Sequence, residues 1–160
     1  RMRVGFGYDI HQLKAGRPCI LGGVHIESDL GPDGHSDADV LIHALMDAML
    51  GAAGLRDIGY YFPPEDDQYK GISSMLLLEK VNFLLKERGL QAYNIDIMVI
   101  SETPKLKPHI DMMKSNLQSI LEIPLDRISI KATTNEMLGA IGRREGIAAQ
   151  AVVSVYEGEI

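Results

Sequence analysis

The chain has 160 residues, 46% hydrophobic and 24% charged, and its formal net charge at neutral pH is −6. This length suffices for one domain with a proper core. The acidic balance argues against a general nucleic-acid binder, which needs a basic face.

Residues 1–160 are interpreted as a single domain, because neither a low-complexity linker nor an internal repeat interrupts them. Apolar runs fall short of the ~20 residues of a membrane span. Neither a signal-peptide pattern nor an Arg-rich transit segment is present. The single Cys19 excludes an internal disulfide and fits a reducing compartment. The sequence therefore predicts a cytoplasmic protein without a membrane or nucleic-acid partner.

Alternation, helical spacing and turn residues predict the secondary structure. In chain order the predicted elements are a strand at 3–11, a hairpin at 19–26, a helix at 38–53, an irregular segment at 57–67, a helix at 73–88 closed by Gly89, a strand at 93–100, a helix at 108–121, and strands at 127–132 and 148–156. This order indicates an α+β fold in which helices pack on one face of one sheet. The opposite face of the sheet must then be buried in another way, and packing against further copies of the chain would bury it.

Asp9 and His11 lie two residues apart in the first predicted strand. Side chains two apart share one face of a strand, so a carboxylate and an imidazole can hold two corners of a tetrahedral zinc site. His43 could supply a third corner. Three protein ligands with one open position are typical of catalytic rather than structural zinc.

A polar cluster, residues 34–39, precedes the helix that carries His43. Ser36 or Asp37 is a plausible N-cap of that helix. Asp47 lies four residues after His43 on the same helical face, where it could orient the imidazole or simply be solvated. Both readings of Asp47 stay open.

Residues 131–136, Lys-Ala-Thr-Thr-Asn-Glu, end a strand and open a turn. Hydroxyls and backbone amides at such a junction can hold phosphate oxygens, and Glu136 could bind a hard cation such as Mg²⁺. The alternative is a helix capping box formed by Thr133 and Glu136. The Pro-bounded segment 103–108 could recognise a ligand ring or be only a rigid connection.

Taken together and in this order, these motifs resemble the 2-C-methyl-D-erythritol 2,4-cyclodiphosphate synthase family. The resemblance covers essentially the whole chain and is most specific in residues 34–43, Gly-His-Ser-Asp-Ala-Asp-Val-Leu-Ile-His. It extends from the Gly-Tyr-Asp-Ile-His of residues 7–11 to the Arg-Arg-Glu-Gly of residues 143–146.

The resemblance implies a phosphorus–oxygen lyase of non-mevalonate isoprenoid biosynthesis. Its substrate is 4-diphosphocytidyl-2-C-methyl-D-erythritol 2-phosphate, which is cyclised with release of CMP. The family is a homotrimer of ferredoxin-like subunits with active sites between neighbours. Asp9, His11 and His43 would bind Zn²⁺, and Glu136 would hold Mg²⁺ or Mn²⁺.

The resemblance also assigns the substrate site. His35 and Thr134 would stabilise the transition state. The residues implied in substrate binding are Asp9, His11, His35, Ser36, Asp57, Ile58, Gly59, Phe62, Pro63, Pro64, Glu65, Asp66, Ser101, Glu102, Thr103, Pro104, Lys105, Leu106, Lys107, Ala132, Thr133, Thr134, Asn135, Glu136, Ala140 and Arg143.

Two positions depart from the family pattern. Met137 stands where the family often has Lys, and Ala140 where an aromatic residue is common. Three other interpretations remain open: a zinc-dependent phosphate-ester hydrolase that activates water, a non-catalytic binding module, and one part of a fusion with a cytidylyltransferase.

Overall fold

A computed structural model describes residues 1–158, so the last two residues of the predicted domain lie outside the described part. The strands are β1 Met2–Ala15, β2 Cys19–Leu21, β3 Val24–Ile26, β4 Leu30–Pro32, β5 Leu90–Ile100, β6 Ile128–Thr133 and β7 Gly146–Glu157. The helices are α1 Val40–Ala52, α2 Ile58–Tyr61, α3 Ser74–Lys86, α4 Ile110–Leu121 and α5 Gly139–Gly142. No helix among residues 1–158 is long and apolar enough to cross a membrane.

The main sheet is mixed, with the strand order β4-β1-β7-β5-β6. β5 and β6 are parallel, whereas the other pairs are antiparallel. β1 and β7 pair along most of their length, from Met2 opposite Tyr156 to Gln12 opposite Gly146. The predicted hairpin is confirmed, since β2 and β3 form a separate two-stranded sheet.

α1 lies directly on the backbone of β1 because two glycines face it. A Cβ atom on Gly5 would be 1.8 Å from the Ala48 carbonyl oxygen. A Cβ atom on Gly7 would be 1.9 Å from the Ala44 carbonyl oxygen. No residue with a side chain fits at either position. This contact places the Ala44–Ala48 turn of α1 against the first half of β1.

The start of α1 is held by a buried carboxylate. Asp39 is the N-cap, and its side chain accepts from the Ile42 amide. The same carboxylate accepts from the amides of Gly22 and Gly23 in the β2–β3 turn, at 3.0 and 2.8 Å. Burial raises the pKa of Asp39 to about 6. The predicted cap at Ser36 or Asp37 is wrong, because both side chains are engaged with Ser74, His43 or their own loop.

The helices cover one face of the sheet, as predicted, and the other face is exposed. Alternate residues of β1 form an apolar face consisting of Val4, Phe6, Tyr8 and Ile10, of which Val4 is 70% and Phe6 59% exposed. Val152 of the neighbouring β7 extends it. A large exposed patch of this kind is typical of an interaction surface.

The predicted elements are recovered with shifted ends, and several short elements were missed. β5 begins at Leu90, three residues earlier than expected, while Gly89 has the predicted left-handed backbone, with φ +69°. The segment 57–67, expected to be irregular, contains α2. The missed elements are β4, α2, α5 and the 3₁₀ turns Asp67–Tyr69, Lys107–His109 and Leu125–Arg127, each only three or four residues long. Such lengths are too short to display a periodic pattern.

Candidate active site

The structure brings Asp9, His11 and His43 together where α1 crosses β1. Asp9 Oδ2 lies 2.8 Å from His11 Nε2 and 3.3 Å from His43 Nδ1. The two imidazole nitrogens are 3.3 Å apart. Among residues 1–158 these three side chains form a cluster able to hold a metal ion.

The donor set fits a tetrahedral metal. Zinc–ligand bonds of about 2.0–2.2 Å at tetrahedral angles separate ligand atoms by roughly 3.3 Å. The two distances to His43 Nδ1 have this value, and the distance between Asp9 and His11 is shorter at 2.8 Å. Asp9 Oδ2 is buried and has no hydrogen-bond partner of good geometry. Burial acts to raise the pKa of Asp9, but the two neighbouring imidazoles outweigh burial and lower it. The cluster therefore has the approximate spacing of a coordination site, with an ionised carboxylate oxygen facing two imidazole nitrogens.

His11 is oriented by the backbone of the loop that follows β4. Its Nδ1 donates to the Asp33 carbonyl oxygen at 2.8 Å, which leaves Nε2 to face Asp9. The Asp33 side chain is in turn paired with Lys14 at 2.9 Å and Arg17 at 3.4 Å. Such outer contacts fix the ring nitrogen that a ligating histidine presents.

His43 is oriented from the opposite side by two serines. Its Nε2 lies 3.0 Å from Ser74 Oγ and 3.2 Å from Ser36 Oγ. The Ser74 hydroxyl donates to Asp37 Oδ1, and the Ser74 amide donates to Asp37 Oδ2 at 2.9 Å. Because the Ser74 hydroxyl uses its proton to donate to Asp37, its oxygen can only accept a hydrogen bond from His43, and that bond comes from His43 Nε2–H. His43 Nδ1 then faces Asp9 as an unprotonated nitrogen.

Asp47 takes neither of the roles considered for it. Its Oδ1 accepts from the Ile58 amide at 2.8 Å and so attaches the start of α2 to α1. Burial raises the pKa of Asp47. Asp47 therefore shapes the cavity wall without hydrogen-bonding to His43.

A cavity of about 210 Å³ opens beside the cluster. Its lining contains nine of the sequence-predicted residues: Asp9, His11, His35, Ser36, His43, Ile58, Gly59, Phe62 and Pro64. Tyr69 and Leu77 also line it and were missed by the sequence analysis. Tyr69 contacts the Phe62 ring edge-on, with centroids 5.4 Å apart. These two residues are separated by an irregular segment, so no periodic pattern in the sequence predicted their contact.

The rest of the segment 57–66 supports this cavity from outside its lining. Asp57 caps α2 by accepting from the Tyr60 amide at 3.0 Å. The Asp66 carbonyl oxygen lies 3.1 Å from His35 Nε2. Pro63 accepts from the Asp66 amide in a tight turn, and Glu65 within that turn is exposed.

A second cavity of about 260 Å³ lies at the ends of β5 and β6. Its lining consists of sequence-predicted residues: Ser101, Glu102, Pro104, Lys105, Leu106, Lys107, Ala132, Thr133 and Thr134. Thr103 lies in the same loop and its carbonyl accepts from the Ser101 hydroxyl. The two cavities share no lining residue, so a single chain does not unite the two groups of predicted residues.

The remaining predicted residues follow β6 and are exposed. The capping box does not form, because no helix begins there and the Glu136 amide donates to Thr134 Oγ1 at 3.1 Å. Asn135 and Ala140 lie outside both cavities, and Arg143 is paired with Glu145 at 2.6 Å.

Residues 2–156 match the YgbB family. The chain belongs to this family. The YgbB relatives include 2-C-methyl-D-erythritol 2,4-cyclodiphosphate synthase of Synechococcus elongatus, 59% identical over 95% of this chain and 95% of the relative.

Solved structures of the same fold agree with the YgbB assignment. A 2C-methyl-D-erythritol-2,4-cyclodiphosphate synthase in its CDP-bound form matches with a TM-score of 0.89 and 37% identity, over 96% of this chain and all of that one. The bifunctional IspDF of Campylobacter jejuni matches with a TM-score of 0.93 and 44% identity over 97% of this chain. The chain spans only 42% of that longer protein.

We expect Ser74→Ala to lower zinc affinity about 10–100-fold, because outer contacts of this kind have effects of that size. The alanine removes the hydroxyl that accepts from His43 Nε2 and that donates to Asp37, while the backbone amide of residue 74 can still donate to Asp37. Competition with a chromophoric chelator measures the affinity. Ser115→Ala, at an exposed position of α4, is the matched control. Equal affinities in the two variants would show that Ser74 does not orient His43.

Proposed function

We propose that the chain converts 4-diphosphocytidyl-2-C-methyl-D-erythritol 2-phosphate to 2-C-methyl-D-erythritol 2,4-cyclodiphosphate and CMP, as an enzyme of non-mevalonate isoprenoid biosynthesis. The observation that carries the proposal is the Asp9–His11–His43 cluster at the wall of a cavity. It occurs in a chain 59% identical to a relative named for this product.

The proposed metal of the cluster is Zn²⁺, which suits one carboxylate and two imidazoles and leaves a fourth position open. When bound, it supplies positive charge that offsets phosphate repulsion and stabilises charge on the departing CMP. Glu136 is the proposed holder of a second cation, Mg²⁺ or Mn²⁺, for which a carboxylate oxygen is a suitable donor.

The proposed reaction is an intramolecular phosphoryl transfer. An oxygen of the substrate's 2-phosphate bonds to the β-phosphorus, and the bond from that phosphorus to the bridging oxygen breaks, so CMP leaves with the electron pair. The nucleophile is already ionised at neutral pH, and therefore the site needs no general base. Holding the two groups in line can supply up to about 7–11 kcal/mol.

The proposed roles of the chain's own residues follow from their positions. His35 is fixed by the Asp66 carbonyl at the wall of the first cavity, where it can donate to a phosphate oxygen. Thr134 borders the second cavity beside Glu136. Residues 57–66 would contact the erythritol portion of the substrate. Ser101–Lys107, with Ala132 and Thr133, would bind cytidine, and a related enzyme has been solved with CDP bound.

Cytidine recognition makes a prediction about ligand choice. A loop that reads the base largely through its backbone matches cytosine's donor and acceptor edge, and a buried mismatch costs about 1–3 kcal/mol per unpaired group. We expect CMP and CDP to bind at least about tenfold more tightly than UMP and UDP. Calorimetry with the four nucleotides measures this difference, and equal affinities would refute base recognition.

The proposed assembly is a homotrimer of ferredoxin-like subunits that covers the apolar face of β1 and joins the two cavities across subunits. His43→Ala and Thr134→Ala chains, each inactive alone, should then regain activity when mixed, since one complete site can form from unmutated halves. The measurement is the rate of verified mixed trimers compared with each variant alone. Absence of recovery in those trimers would contradict shared sites.

Phosphorus NMR of the reaction tests the proposed function directly. The expected spectrum contains a cyclic diphosphate and CMP in equal amounts, with no inorganic phosphate. A zinc-dependent hydrolase would instead release phosphate without cyclisation, and a binding module would leave the substrate unchanged. Either result would overturn the proposal.

A further inference from the structure

The Glu102 carboxylate bridges two loops that the sequence keeps far apart. Its Oε2 accepts from the Asn135 amide at 2.7 Å, and its Oε1 accepts from the Met137 amide at 3.2 Å. Glu102 belongs to the proposed cytidine loop, whereas residues 134–138 form the turn that carries Glu136. One side chain thus ties these two parts of the proposed site together.

The turn at residues 134–138 needs such support because its backbone is unfavourable. Glu136 and Met137 have φ of +52° and +61°, the left-handed region that residues with a side chain rarely adopt. Two consecutive residues of this kind persist only where surrounding contacts hold them. The Glu102 carboxylate engages the amides on both sides of Glu136 and is placed to be that contact.

Two further contacts complete the turn. Thr134 Oγ1 accepts from the Glu136 amide, so the three consecutive amides 135–137 are all bound by side-chain oxygens of the chain. On its other side the Met137 backbone rests on Gly142, where a Cβ atom would be 2.2 Å from the Met137 carbonyl carbon. The turn consequently presents the exposed Glu136 side chain rather than free amides.

We infer that Glu102 is a positioning residue, whose carboxylate holds the turn so that Glu136 is ready to bind the divalent cation. The inference deepens the proposed function and rests on its assignment of Glu136. Because Glu102 lies in the base-binding loop, it also couples base binding to cation binding. We expect CMP to raise the affinity of the chain for Mn²⁺, and by linkage Mn²⁺ then raises the affinity for CMP by the same factor.

The first test measures the turn itself and does not depend on the proposed function. In Glu102→Ala, exchange of the Asn135 and Met137 amides with water, followed by NMR, should accelerate about tenfold. Glu102→Gln retains one accepting oxygen and should give a smaller increase. Glu79→Ala, at an exposed glutamate of α3, is the control and should leave both amides unchanged. Unchanged exchange in a folded Glu102→Ala chain overturns the inference.

The second test measures the cation. Mn²⁺ binding to the zinc-loaded protein, followed by water proton relaxation with and without CMP, should weaken about five- to tenfold in Glu102→Ala. The increase in affinity produced by CMP should shrink in the same variant. Unchanged Mn²⁺ affinity overturns the inferred role toward Glu136. Glu136→Ala distinguishes failure of the proposed cation site from failure of the inference about Glu102. If Glu136→Ala also leaves Mn²⁺ affinity unchanged, the proposed cation site at Glu136 is wrong. Amide exchange then decides by itself whether Glu102 holds the turn.

Discussion

Replacing His43 by alanine is expected to abolish stoichiometric zinc binding and to lower turnover at least about a hundredfold, since loss of outer contacts alone weakens metal sites 10–100-fold. His43 Nδ1 is one of three donor atoms within 3.3 Å of one another, and the remaining Asp9 and His11 form only half of a tetrahedral shell. Elemental analysis and steady-state rates measure the two effects.

His25→Ala is the matched control for this experiment. His25 is an exposed histidine on β3, so its loss removes an imidazole without affecting the cluster. We expect full zinc content and an unchanged rate in this variant. Full zinc occupancy in a folded His43→Ala chain would remove His43 from the ligand set.

Gly7→Ala is expected to destabilise the fold by about 3 kcal/mol or more, at or above the upper range for overpacked cores. The new Cβ atom would overlap the Ala44 carbonyl oxygen at 1.9 Å and approach the Ala48 amide at 2.8 Å. Both atoms belong to the backbone of α1, so they cannot move aside as a flexible side chain would. Urea denaturation measures the loss of unfolding free energy.

The same substitution should also weaken zinc binding, because α1 must move away from β1 and carries His43 with it. Gly51→Ala, on the same helix, is the control: the nearest atom to its new Cβ is the Phe6 carbonyl oxygen at 4.0 Å. There we expect a gain of about 0.5–1 kcal/mol from replacing glycine in a helix. Similar stabilities for the two variants would contradict the close contact between α1 and β1.

The sequence was sufficient to predict the part of the site that depends on local periodicity. Asp9 and His11 share a strand face because strand side chains alternate, and this alternation needs no tertiary information. The meeting of His43 with this pair is a tertiary event. It depends on Gly5 and Gly7, whose lack of a side chain lets α1 approach, and glycines in a strand by themselves only suggest such an approach.

The errors arose where a polar side chain finds its partner far along the chain. Asp37 looked like a helix cap but pairs with Ser74, and Asp39 caps the helix because its carboxylate also receives the amides of the β2–β3 turn. The Thr133–Glu136 capping box failed for a local reason, because the Glu136 amide donates to Thr134 instead. The distant partner in this turn is Glu102, thirty-three residues before Asn135, which accepts from the Asn135 amide.

The separation of the two cavities has a consequence for how the rate depends on protein concentration. If each chain contributes one half of two different sites, a closed ring has as many complete sites as chains, whereas an isolated chain has none. Catalytic capacity then belongs to the ring and not to the polypeptide. Below the concentration at which rings dissociate, the rate falls more steeply than the concentration of protein. Chains with an inactive half-site lower the rate when they are mixed with intact chains, and they restore it when they are mixed with chains whose other half-site is inactive.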